Sequence, residues 1–237
     1  MLAPLMRWGS VSRTMLGWSR PREVAVVVGL VALAFGVLRL PPWQLGAGIV
    51  AGTEPCDTVP LAMAWTLGWG VQRLGVGFSS YWDAPIFHDT PGALALSEPM
   101  PLVAAMAWPA HALGASLATA TTLVLVVLLV LDAWFVRRFV RRLGVSRTPA
   151  TAAGAITMLL PFLHQELGVL PLVPVWGIAS MLTALVELLG PGRRPQWRSG
   201  LELGLATGAS WLCSEQLTYF AVLLLGPCAL ALLRRRH

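Results

Sequence analysis

Residues Gly114 to Arg142 read GASLATATTLVLVVLLVLDAWFVRRFVRR. From Gly114 to Val136 the stretch is apolar apart from Asp132, and a helix that crosses a bilayer needs roughly 20 such residues. It ends in Arg137, Arg138, Arg141 and Arg142, with Arg147 close behind. Arginine accumulates on the cytoplasmic side of membrane proteins, so the segment reads as a span running from outside to inside. Asp132, near its inner end, reads as an acid snorkelling toward those arginines.

The composition agrees with that reading. Of 237 residues, 56% are hydrophobic and 12% charged, and the mean hydropathy is +0.70. A water-soluble domain carries about 25% charged residues, so the expected fold class is an all-α integral membrane protein. All 17 basic residues are Arg, and neither Lys nor Asn occurs. That excludes Schiff-base catalysis, a P-loop lysine and N-glycosylation, and it points to a GC-rich, bacterial coding sequence. The three cysteines, Cys56, Cys213 and Cys228, show no zinc-ligand spacing. The pI near 10.5 comes from arginine clusters beside apolar runs, which signals topology. No nucleic-acid partner is expected.

Worked outward from the opening stretch, the chain divides into a basic cytoplasmic tail over 1–22, a first span over 23–40 and an outer loop over 41–113. The second span, 114–136, leads to an Arg-rich cytoplasmic loop, 137–149. Third and fourth spans occupy 150–189, with the polar cluster His164-Gln165-Glu166 at their outer turn. A cytoplasmic loop, 190–200, precedes a short hairpin and basic terminus over 201–237. The hairpin is inferred because Leu201 to Leu233 is too long for one span, holds Cys213-Ser214-Glu215-Gln216 at its middle and ends in Arg234-Arg235-Arg236. This makes about six transmembrane passages in the bacterial inner membrane, with both termini cytoplasmic. Fifteen of the arginines then lie inside, while Glu54, Asp57, Asp83, Asp89, Glu98, Glu166 and Glu215 lie outside or at outer helix ends. The outer face is the acidic one, and chemistry is expected there.

The outer loop is long enough to be functional. It holds Trp43, Trp65, Trp69, Trp82 and Trp108, a residue type that favours the membrane interface. Thr58 to Leu74 reads as an amphipathic helix with Leu61, Trp65 and Trp69 at i, i+4 and i+8. Asp57 opens it, as an N-cap, as a reacting carboxylate, or as both. Prolines 85, 91 and 99 make the next stretch turn-rich. Within it Asp83, His88, Asp89 and Glu98 could bind a divalent cation, Mg or Mn, or polarise a sugar hydroxyl, or simply serve turns. Met100 to Leu113 is short, interrupted by Pro109, and reads as an interfacial helix.

With these residues in view, the chain resembles the first outer loop and following spans of bacterial membrane glycosyltransferases of the GT-C superfamily. The resemblance rests on the acid that opens a Trp-rich helix, on YWDAPIFHDTPGALALSEPM over 81–100, and on RRFVRRLGVSR over 137–147. It implies a polyprenyl-phosphate sugar donor, with Asp57 as the carboxylate at the reacting centre. It further implies an arginine near the leaving phosphate, for which Arg73 is the candidate, and Glu166 and Glu215 lining the cavity. Members of the superfamily carry further spans, so this chain resembles an amino-terminal half and a second membrane subunit is an expected partner besides membrane lipid. Two other classes stay open: a non-catalytic membrane subunit or scaffold, and a small transporter or flippase.

Overall fold

The computed structural model describes residues 20–39, 43, 58–88, 90–189 and 196–234. Among them the regular structure is entirely helical: α1 (Arg20–Val37), α2 (Thr58–Gly75), α3 (Pro101–Ala112), α4 (Leu117–Arg142), α5 (Arg147–Thr157), α6 (Pro161–Gln165), α7 (Trp176–Leu189), α8 (Gln196–Cys213) and α9 (Glu215–Arg234), with 3-10 turns at Ala93–Leu96 and Leu170–Leu172. Two stretches of the described residues are long and apolar enough to cross a membrane, Leu117–Arg142 and Leu170–Leu189.

The organising element is α4. The Ser116 hydroxyl accepts the Thr119 N–H at 3.2 Å and caps its start. Both α3 and α4 end on a glycine in the left-handed region, Gly114 (φ +90) and Gly144 (φ +89), where a side chain would be strained. Along α4, Ala120, Val124, Leu125, Leu128, Leu129 and Ala133 are buried. They form one core with Leu30 and Ala34 of α1, Leu67 of α2, Val103 and Ala107 of α3, and Trp176 of α7. On the α5 side the approach is close: any Cβ at Gly154 would collide with the Ala133 carbonyl oxygen.

Several expectations change here. The second span does not stop at Val136. Its helix continues to Arg142, so most of the basic "loop" is helix, and its arginines are tied to acids from three other helices. Arg137 pairs with Glu23 of α1 at 3.2 Å, Arg138 with Glu202 of α8, and Arg142 with Glu187 of α7 at 2.7 Å. The third apolar run is broken: α5 has eleven residues, about 16 Å at 1.5 Å per residue, roughly half of a hydrocarbon core of about 30 Å. Prolines 161, 171 and 174 punctuate the route to α7, because a proline lacks the N–H a continuing helix needs. Of the six expected passages, only 114–136 and 169–189 correspond to stretches that satisfy length and apolarity among the described residues. The first of the six, now α1, has Arg20, Arg22 and Glu23 in its opening turn.

Asp132 does not snorkel. It is completely buried, and its Oδ1 accepts the backbone N–H of Trp176 at 2.6 Å. That N–H is one of the donors a helix start leaves without an intrahelical partner, so α4 caps α7 from the side. The Asp132–Trp176 and Arg142–Glu187 pairs fix α7 running in the same direction as α4.

The helical run breaks where the sequence places its turn. α8 and α9 meet at Ser214, whose hydroxyl accepts the Leu217 N–H at 3.1 Å. Ala206 of α8, Ala221 of α9 and Met181 of α7 pack in one cluster. The turn falls at Ser214 because Cys213-Ser214-Glu215-Gln216 interrupts the apolar run with groups that favour a cap over a helix interior.

Candidate functional site

The outer-loop residues collect around α2, the turn-rich segment 76–100 and the start of α9. α2 buries Pro60, Ala64, Leu67, Gly70 and Val71, so its remaining faces turn outward. Leu61 and Trp65 are exposed, and the Trp65 and Trp69 rings lie parallel with centroids 6.2 Å apart. The spacing read from the sequence thus makes an aromatic row on an open face. Asp57, placed at the head of that helix, lies outside the described residues, as does Asp89.

After α2 the chain folds back on itself. Trp69 donates its indole N–H to the Tyr81 carbonyl at 2.8 Å, the Gly92 N–H bonds Asp83 Oδ1 at 3.0 Å, and the Leu94 N–H bonds the Trp82 carbonyl at 3.0 Å. Asp83 therefore closes a turn. Phe78, Ser80, Phe87 and His88 all have positive φ, an uncommon state for residues with a side chain. The Thr90 hydroxyl secures the second pair through the Phe87 carbonyl at 2.6 Å. His88 projects at an exposed corner. Tyr81 is buried below; burial pushes its phenol up to about 12, against a hydrogen bond with the Met100 backbone.

Glu98 makes the longest-range polar contact of this region. Its Oε1 accepts the Gln216 side-chain N–H at 2.8 Å, joining the turn-rich segment to the first turn of α9 across 118 residues of sequence. Its Oε2 is buried and has no hydrogen-bond partner among the described residues. Burial holds the Glu98 carboxyl above the usual carboxylate range; the Gln216 bond works against that and nearby Glu215 adds to it. Glu215 itself stands in the first turn of α9, where a helix start favours negative charge.

So Glu98 and Glu215 of the sequence-selected set come together, through Gln216, which the sequence did not single out. Its only local signal is its place in the polar interruption of an apolar run. Glu166 is half-buried at the end of α6, where its backbone bonds Phe162 and Val169. Arg73 sits with its guanidinium carbon 4.0 Å from the centre of the Trp69 ring. The sequence also passed over Glu23, Glu187 and Glu202, which hold the arginines of α4.

Among the described residues no three His, Cys, Asp or Glu side chains converge to hold a metal ion. Asp89, the fourth residue of the expected cation set, lies outside the described residues. Comparison of the chain with protein-family models, curated proteins and solved structures finds no match.

Proposed function

We propose that the chain is a multi-span protein of the bacterial inner membrane that transfers a sugar from a polyprenyl phosphate to an acceptor hydroxyl at the outer face. The observation that carries the reading is the Glu98 carboxyl: half-buried, with one oxygen on Gln216 and the other without a partner among the described residues. In such a transfer the acceptor oxygen attacks the anomeric carbon and the bond from that carbon to the phosphate oxygen breaks. The polyprenyl phosphate leaves with the electron pair, and the acceptor proton passes to a carboxylate. A carboxyl whose proton affinity is raised toward the working pH suits that last role, and perturbed carboxyls gather at functional sites. Asp57, the carboxylate the resemblance assigns to the reacting centre, is its partner in this reading.

The membrane placement draws on the two apolar stretches and on Leu201, Leu205, Val222, Leu223 and Leu224, which α8 and α9 turn outward. An exposed apolar patch of that kind suits lipid. The break at Ser214 favours a hairpin that returns the chain to the side from which α8 sets out. The arginine-rich end of α4 is the cytoplasmic end in this topology.

The test is sugar transfer from a synthetic polyprenyl-phosphate sugar in membranes that contain the chain. Glu98→Gln and Asp57→Asn each lower the rate about a hundredfold, with expression unchanged. Wild-type transfer by Glu98→Gln removes that residue from the chemistry. Absence of transfer by the intact wild type, together with co-purification of a second membrane protein, replaces the enzyme reading with that of a non-catalytic subunit.

A further inference from the structure

We infer that the open face of α2 binds the phosphate headgroup of an anionic phospholipid at Arg73, with the lipid's acyl chain lying along Trp69, Trp65 and Leu61. These four residues follow one another at i, i+4, i+8 and i+12 on one row of the helix. The opposite face is buried against the core, so the row is presented to the surroundings by a fixed element. Trp69 is held by its bond to the Tyr81 carbonyl. Trp65 stacks on it within 13° of parallel, and the Arg73 guanidinium lies 4.0 Å from the Trp69 ring centre.

Arg73 has no carboxylate within ion-pair distance among the described residues, and its Nε is buried without a hydrogen-bond partner. With Nε enclosed against the chain, the terminal N–H groups of this oriented guanidinium are what it offers to phosphate oxygens. The surface around it selects among anions. Phe78, whose N–H bonds the Arg73 carbonyl at 2.7 Å, and Trp82 add exposed aromatic surface nearby, each standing edge-on to the Tyr81 ring. A soluble phosphate or acidic peptide would satisfy the cation and leave the indoles in water; a phospholipid covers both. This assignment takes Arg73 from the leaving-phosphate role that the resemblance implies and gives it a resident phospholipid instead, so it stands whether or not the chain transfers sugar.

The probe is the full chain in phosphatidylcholine bilayers that contain brominated phosphatidylglycerol or, separately, brominated phosphatidylcholine. The readout is the preference between the two lipids, followed by tryptophan quenching. Arg73→Gln lowers the preference for phosphatidylglycerol about fivefold, the contribution of one basic residue at a membrane surface. Arg73→Lys recovers part of it, since the charge returns without the fork, and Trp65→Leu lowers the quenching amplitude. An unchanged preference in Arg73→Gln overturns the proposal, as does equal displacement of the lipid by inorganic phosphate. Loss of chain-to-chain crosslinking in Arg73→Gln, with lipid preference intact, would also overturn it, by assigning the face to a second copy.

Discussion

Asp132 Oδ1 lies 2.6 Å from the backbone nitrogen of Trp176, and the aspartate is fully enclosed. One carboxyl thus sets where α7 begins, from a helix 44 residues earlier in the chain. Asp132→Ala leaves a buried N–H unpaired and is expected to destabilise the fold by about 1–3 kcal/mol. Asp132→Asn keeps an acceptor oxygen and costs less. The order of apparent Tm values in detergent checks this; an equal loss in both variants would show that the charge, and not the acceptor, is what α7 requires.

Gly154 and Gly204 are both helical glycines with opposite surroundings. A methyl at Gly154 meets the Ala133 carbonyl, whereas nothing lies within 4 Å of one at Gly204. Gly154→Ala is therefore expected to separate α5 from α4 at a cost of about 1–3 kcal/mol. Gly204→Ala gains up to about 1 kcal/mol from helix propensity. Thermal unfolding followed by circular dichroism distinguishes the two, and a destabilised Gly204→Ala would reveal a neighbour on that face.

Glu98 gives a pH dependence whose sign follows from its environment. Its carboxyl binds a proton more tightly in the folded chain than in the unfolded one, so its contribution is most favourable below the ordinary glutamate range. That contribution is lost as pH rises from there through the raised folded value. Glu98→Gln should remove this segment of the stability curve. An identical slope in wild type and variant over that interval would place the titration elsewhere.

The ion pairs along α4 differ in burial, and their substitutions should differ accordingly. Arg137 is 8% exposed beside Glu23, whereas Arg142 is 37% exposed beside Glu187. Glu23→Gln is expected to cost about 2 kcal/mol, since it removes the carboxylate beside a nearly buried charge. Glu187→Gln should cost about 1 kcal/mol or less, because water screens its partner. Equal losses in a chemical-denaturation comparison would argue that neither pair depends on burial.

The α8–α9 break and the aromatic row of α2 were legible in the sequence because both are local. Cys213-Ser214-Glu215-Gln216 interrupts an apolar run at the point where the chain reverses, and Leu61, Trp65 and Trp69 carry helical spacing in their numbers alone. Apolarity ends at Val136 while the α4 helix runs on to Arg142, because arginine closes an apolar span yet is a good helix former. Prolines 161, 171 and 174 stood in the run taken as two spans, and hydropathy, which averages over them, hides the break they make.

The sequence by itself determined the helical class, the apolar core of α4 and the segregation of arginine, since these follow from composition and from periodicity within one or two turns. Only the tertiary structure decided what each charge does. Asp132 ends on Trp176, the arginines of α4 on Glu23, Glu187 and Glu202, and Glu98 on Gln216. Each of these pairs joins residues at least 44 positions apart. A polar group in an apolar surrounding must find a partner, but which one it finds depends on how the helices pack, and that information is carried by no single segment.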